Sequence, residues 1–320
     1  MKNKLMLASC VLLIAGLAFT SCKKDKKTTP ATEADESSTF AQHSADVNTS
    51  NNTADMSMED AENAIAPSSL SGARVSSGGV FYSNICGASV DTTNLTANKT
   101  VVITYTGTTC DGSRNRSGSI TVQLTSGNRW KDVGAVLTFT YTNFKVTTVS
   151  TGKSTTLNGV HTITNVTGGI VNHIGLNTNP TTITRKIRAT NMSITFDDGT
   201  VRSWSAARKR TWTGSTGVVT SLSIEGDTIL SGVSNTEVWG TNRAGNAFTT
   251  VVNTPLVVNS TCGWYAPVSG MKTHSFNSRV STITFGTDAS GNIVSSGCPN
   301  HYIINWTSPA GVAKYYIGTY

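Results

Sequence analysis

The chain has 320 residues, with 25 lysines and arginines against 18 acidic residues and a formal net charge of +7. Charged residues make up only 13% of it and aromatics 7%. No apolar run beyond residue 19 is long enough to cross a bilayer as a helix, which excludes a polytopic helical membrane protein. From about residue 80 onward no window holds a 3.6-residue period, which excludes a helical bundle.

Lys2 and Lys4 form a positive n-region, residues 5–19 an apolar h-region, and Thr20 and Ser21 lead into Cys22. An apolar run of that length falls short of the roughly 30 Å hydrocarbon core, so residues 1–21 read as a signal peptide that is removed. The segment from Leu17 to Cys22 resembles a lipobox, the recognition site of lipoprotein signal peptidase, with small Ser21 before the cysteine and Phe19 where leucine is usual. The alternative is ordinary signal-peptidase cleavage near Ala18, Phe19 and Thr20. Cysteine parity favours lipid on Cys22. Cys10 leaves with the h-region, and a lipidated Cys22 leaves Cys86, Cys110, Cys262 and Cys298 to close two disulfides outside the cytoplasm. Lipidation of this kind, with several acyl chains such as palmitate, anchors firmly because each buried CH₂ adds about 0.8 kcal/mol. The expected partner is therefore a membrane, held through the lipid. Lys23, Lys24, Lys26 and Lys27 follow, around Asp25, as a charged juxtamembrane run.

Residues 22–79 are rich in Ser, Thr, Ala, Asn and acids, with little that is large and apolar. Such a composition does not offset the entropy of ordering, and the segment reads as a mostly disordered tether reaching roughly 35–42 Å. Ser57 with Asp60 is similar to a capping box, so a short helix over residues 57–65 is the one local exception.

Residues 80–320 are dense in Thr, Val, Ile and aromatics, which suit a half-buried pleated surface. Ile120, Val122 and Leu124 alternate with Thr121 and Gln123; Leu137, Phe139 and Tyr141 alternate with Thr138 and Thr140; Ile194 and Phe196 flank Thr195. Turn signals fall at intervals of about ten residues. Asp198-Gly199 reads as a type I′ hairpin, and Asn158-Gly159, Gly168-Gly169 and Ser290-Gly291-Asn292 read as further turns. The fold class is all-β: an antiparallel meander of hairpins forming a twisted sheet, an open barrel or a sandwich, which periodicity does not decide. Both Cys86 to Cys110 and Cys262 to Cys298 run through a spacer, a strand and Gly-Thr. This echo suggests the pairs Cys86–Cys110 and Cys262–Cys298, with the two other connectivities open.

Cys110-Asp111-Gly112, residues 117–122 (SGSITV), residues 139–144 (FTYTNF), Arg210-Thr211-Trp212, residues 254–257 (TPLV) and Cys262 occur in an order that resembles a broad group of uncharacterised Bacteroidetes outer-membrane lipoproteins. The resemblance implies an outer-membrane lipoprotein, facing the periplasm or the cell surface, and no catalytic residue. Asp91-Thr92-Thr93 and Asp227-Thr228-Ile229 are similar to the pattern at which that phylum O-glycosylates exported proteins, which implies Thr92 and Thr228 as acceptors.

No histidine pair sits at zinc-ligand spacing, no Cys-x-x-Cys or Gly-x-Ser-x-Gly occurs, and no cofactor or metal is expected. His161 and His301 read as solvent-facing. Glu225, Asp227 and Glu237 are the acids a glycosidase would need, although nothing in the sequence places them together. The most unusual local feature is basic and aromatic. Arg202, Trp204, Arg208, Arg210 and Trp212 share one face of a regular strand, with Arg185, Lys186 and Arg188 on the preceding one. As an exposed ridge, this stripe would meet an anionic glycan or another envelope polyanion, with Trp stacking on sugar rings. Nucleic acid is not an expected partner of an exported, membrane-tethered chain, even with a pI of 9.1, since the mature charge is only about +5. The expected function is non-enzymatic binding or an envelope structural role; the alternative is a carbohydrate- or peptide-directed hydrolase.

Overall fold

A computed structural model describes residues 33–65, 85–264 and 266–320, with side chains from Glu36 onward. The signal segment, Cys22 and the lysines after it lie outside the described residues, as does the stretch 66–84. No described helix is long and apolar enough to cross a membrane.

The elements are a helix, α1 (Glu33–Ile65), followed by β1 (Ala88–Asp91), β2 (Thr100–Tyr105), β3 (Arg114–Ser126), β4 (Ala135–Thr148), β5 (Ser154–Asn165), β6 (Thr182–Phe196), β7 (Val201–Ser215), β8 (Val218–Gly226), β9 (Thr228–Leu230), β10 (Val233–Thr241), β11 (Ala247–Asn259), β12 (Ser269–Phe276), β13 (Arg279–Thr287), β14 (His301–Thr307) and β15 (Ala313–Thr319). All fifteen strands join one antiparallel sheet in which chain neighbours pair, so the all-β meander holds. Its one departure lies between β7 and β11. There β8 pairs with the C-terminal half of β7 and β10 with the N-terminal half, and β11 runs back along both. The four strands close a ring of pairings, and β8 and β10 lie end to end in one position.

Alternation places Ile120, Val122, Leu124, Leu137, Phe139 and Tyr141 in the core and leaves Thr121, Gln123, Thr138 and Thr140 on the outer face. The β6–β7 hairpin also forms, but its turn differs from the type I′ expectation. Gly199 N–H donates to the Phe196 carbonyl at 3.0 Å and Phe196 N–H to the Thr200 carbonyl at 2.9 Å. Gly199 alone takes positive φ, at 78°, while Asp198 does not. This is a type I turn closed by a G1 bulge, and only glycine enters the left-handed position without strain. The same hydrogen-bond pair recurs at Asn242–Gly245, Asp288–Gly291 and Ser308–Gly311.

Asn158-Gly159 is not a turn. It lies inside β5 at a register shift, one of four such shifts in consecutive strands: Ser117/Ser119, Tyr141/Phe144, Asn158/His161 and Ala189/Met192. A bulge adds one unpaired residue and bends its strand. The extra residues lie on β4, between Tyr141 and Phe144, and on β6, between Ala189 and Met192; these two bulges and the strands beside them make a seam about which the sheet curls.

The concave side is filled by α1, which corrects the reading of residues 33–65 as part of a disordered tether; the remainder of 22–79 lies outside the described residues. The helix is 33 residues long, about 50 Å at 1.5 Å per residue. Glu36, Phe40, His43, Val47, Ser50, Ala54, Ser57, Ala61 and Ala64 are all buried, at alternating spacings of four and three. Phe40 packs against Phe276 and Trp306 with tilted rings, their centres 5.2 and 5.4 Å away. The buried hydroxyls bond to the helix's own carbonyls, Ser50 Oγ to Asp46 at 2.7 Å and Ser57 Oγ to Ala54 at 2.6 Å, so they enter the interface without orphaned donors. The short helix expected over residues 57–65 is the last part of this longer one.

Both disulfides form as the internal echo suggested, Cys86–Cys110 and Cys262–Cys298. A docked α1 has a measurable consequence. Phe40→Ala is expected to lower stability by about 3–5 kcal/mol in urea denaturation, while Asn52→Ala, on the exposed side of α1, stays within about 0.5 kcal/mol. Equal, small effects from the two would mean that α1 is not part of the core.

Candidate functional site

The arginine and tryptophan stripe of β7 is where the sequence concentrates chemistry, and the structure resolves its surroundings. Arg202, Trp204 and Arg208 share a face as strand geometry requires, but that face is the concave one. They are 1%, 0% and 2% exposed. Arg210 and Trp212 are half-buried on the same side, Arg210 with its guanidinium 4.7 Å over the Trp212 ring. The exposed ridge that would meet a surface polyanion is therefore corrected. α1 covers it.

Acids of α1 meet the sheet's arginines one after another. Asp55 accepts from Arg208 Nη1 at 2.8 Å and Nη2 at 3.2 Å, and pairs with Arg210 at 3.1 Å. Asp60 pairs with Arg116 at 2.5 Å and accepts from Tyr105 Oη at 2.9 Å. Glu62 pairs with Arg185, which sits between the Trp130 and Trp212 rings. Asp46 takes two bonds from Arg243 at 2.8 Å each, and Glu36 pairs with Arg279 at 3.2 Å. Residues 33–65 contain eight acids and no lysine or arginine; this charge asymmetry is the signal that would have revealed the docking.

The sheet adds one buried acid, Glu237, fully enclosed. It holds Arg208 at 3.1 Å and Lys272 at 2.6 Å, and accepts from Asn51 Nδ2 at 3.2 Å. Glu237 is thus an internal counterion with no route to substrate. Glu225 and Asp227 project from the outer face instead. Both line a pocket of about 410 Å³ at the β8–β10 junction, with Lys209, Asn235 and Asn253. Each is ion-paired, Glu225 with Lys209 and Asp227 with Lys186 and Arg188. Thr92 and Thr228, the expected glycan acceptors, are half-exposed.

Three histidines lie inside. His161 is 1% exposed, which corrects its solvent-facing assignment, and its Nδ1 is 3.1 Å from Tyr141 Oη, itself 2.5 Å from Ser57 Oγ. His274 Nδ1 is 2.8 Å from Thr250 Oγ1, and His43 packs edge-on against His274 at 5.0 Å. Burial holds all three neutral: His43 and His161 are lowered to about 3, and His274 well below the usual histidine value. Arg202 lowers His43 further, Arg208 acts on His161 against the pull of Asp55, and Lys272 and Arg202 act on His274. Burial alone would raise Asp55, but Arg208 and Arg210 outweigh it and hold the carboxyl below its usual value. Asp60 goes the other way, since burial outweighs Arg116.

Among the described residues no group of three or more His, Cys, Asp or Glu side chains is placed to hold a metal ion. What the interior can do chemically is respond to protons. A histidine whose folded pKa is depressed leaves stability intact above about pH 6.5, because both states are then neutral; below that the unfolded chain binds protons that the folded chain refuses. Stability is therefore expected to fall as pH drops from about 6.5 toward 3, by up to about 1.4 kcal/mol per pH unit for each of His43, His161 and His274. Asp55 adds to the loss at the acid end. Urea denaturation at pH 7.5, 6 and 5 checks this, and His43→Gln with His274→Gln is expected to flatten the slope. A pH-independent midpoint across that window would contradict it.

Compared with known proteins, the chain matches no family model, no curated protein and no solved structure.

Proposed function

We propose that the chain is an exported lipoprotein, anchored through lipid on Cys22, whose folded body acts by binding or as a structural part of the envelope rather than by catalysis. The observation that carries this reading is the pairing of Cys86 with Cys110 and Cys262 with Cys298. Two disulfides suit an oxidising compartment outside the cytoplasm. They also leave Cys22 as the one cysteine behind the apolar leader without a partner, which is the state a lipid-accepting thiol needs. The outer membrane, with the body facing the periplasm or the cell surface, remains the location we favour.

The placement of the arginines supports a particular mode of action. With the concave face filled by α1, a glycan, protein or envelope component would meet the outer face, where rows of Ser and Thr such as Thr104–Ser119–Thr142 and Thr121–Thr140 cross neighbouring strands. A hydrolase is the second reading, and Glu225 with Asp227 in one pocket is the observation that favours it. Both carboxylates are already engaged in ion pairs, Glu225 with Lys209 and Asp227 with Lys186 and Arg188, so binding ranks first.

Expression with the leader intact tests the anchor. Wild type is expected in the membrane fraction and Cys22→Ala in the soluble one, with the same two disulfide-linked peptides in both. Unchanged membrane partitioning of the variant would overturn the lipid anchor.

A further inference from the structure

At the interface of α1 and the sheet, Asp46, Asp55 and Glu237 are each held by basic side chains, and one buried arginine is left without a carboxylate partner among the described residues. Asp46 gives both oxygens to Arg243, Glu237 is shared by Arg208 and Lys272, and Asp55 by Arg208 and Arg210. Arg202 is left over. It is 1% exposed, and none of its three guanidinium nitrogens has a hydrogen-bond partner among the described residues. Asp46 is near enough to favour its charge, but Arg243 holds that carboxylate and opposes Arg202. The guanidinium lies 4.4 Å over the Phe248 ring. A ring face attracts the cation, yet it accepts nothing from N–H groups that point outward in the guanidinium plane.

His43 comes against the same ring, with centres 4.9 Å apart. It is 4% exposed and neither ring nitrogen has a partner among the described residues. Whichever tautomer it adopts, one nitrogen is a donor. Its other neighbour, His274, is already committed to Thr250. Unpartnered donors and an unmatched positive charge thus coincide at Phe248, one from the helix and one from the sheet.

We propose that Arg202 and His43 together bind a small monovalent anion, a halide or a compact carboxylate, at the interface of α1 and the sheet. Charge-assisted hydrogen bonds to such an ion satisfy both side chains and neutralise the charge of Arg202. The enclosure selects for size, so this site is distinct from any surface contact with a glycan or other polyanion. Because its donors come from both elements, ion binding and helix docking are linked, and the ion stabilises the folded state in proportion to its occupancy. The proposal goes beyond the lipid-anchor reading and does not depend on it.

The test uses the full-length chain in detergent at constant ionic strength, with sodium bromide, chloride or formate replacing sodium gluconate. A saturating rise in Tm of roughly 3–8 °C is expected with a compact anion. It should be lost in Arg202→Met and kept in Lys153→Met, which changes an exposed loop lysine. A rise with formate alone assigns a carboxylate; a rise with bromide and chloride assigns a halide. Wild-type crystals soaked in bromide, or in formate if that ion alone is active, give a check that needs no variant. The ion should appear in contact with the Arg202 guanidinium and the His43 ring, in anomalous maps for bromide. Equal Tm in all salts, or a soaked crystal with only ordered water at that position, would overturn the proposal.

Discussion

The docking of an acidic helix onto an arginine-lined concave sheet is the constraint on which the rest of the structure depends. Buried ion pairs contribute little net stability, because desolvation offsets most of the Coulombic gain. Their effect is on position. Glu36 meets β13, Asp46 the β10–β11 turn, Asp55 β7, Asp60 β3 and Glu62 β6. A slide of one helical turn, or a rotation of one residue, would break these pairs together and leave several charges buried without partners, at about 3–5 kcal/mol each. Apolar burial at Phe40, Val47, Met58 and Ile65 supplies the attraction, and the ion pairs select the register.

The strand content was legible because outward positions are mostly Thr, Ser and other polar residues while inward ones are mostly Val, Ile, Leu and aromatics, a contrast clearest over residues 120–124 of β3 and 137–141 of β4. The disulfide pairs were legible from the repeated run of residues around each cysteine pair. The helix was not. Of its nine regularly buried positions only Phe40 and Val47 are large and apolar; Ala54, Ala61 and Ala64 are small, and Glu36, His43, Ser50 and Ser57 are polar. A search for hydrophobic period finds little in such a stripe, because small residues there permit close approach instead of supplying area. The relevant pattern was charge, an all-acidic segment ahead of a basic body, and its meaning depends on contacts distant in the chain.

The curl of the sheet explains why the β7 stripe was placed on the right face but the wrong side of the molecule. Strand periodicity says that Arg202, Arg208 and Arg210 point together; it does not say whether they point to solvent or into a concavity. That is decided by the seam of bulges from Ser117 to Met192 and by the presence of α1. In the two bulged strands Asn143 and Asn191 take positive φ, at 48° each, and on the facing strands Gly118 and Gly159 do so at 85° and 127°. In sequence only Gly159 reads as a turn residue, and Gly118 and Asn143 lie inside strand-like runs. Only their alignment across four strands turns them into a bend, and alignment is a property of the paired sheet.

Docking of α1 also changes what the proposed anchor implies. A tether running from Cys22 to residue 79 would let the body roam over tens of ångströms. With the helix beginning at Glu33, only eleven peptide steps separate Cys22, the proposed lipid acceptor, from the first helical residue, a contour of at most about 36–40 Å. The lysines at 23, 24, 26 and 27 fall within those steps in the sequence. Polybasic residues next to a membrane favour its anionic surface by about 1 kcal/mol each within a Debye length, and the acids of α1 that would oppose them are turned inward onto arginines. The ion pairs that position the helix thus also neutralise Glu36, Asp46, Asp55, Asp60 and Glu62, so under the proposed anchor an acidic first element would be compatible with a basic one before it.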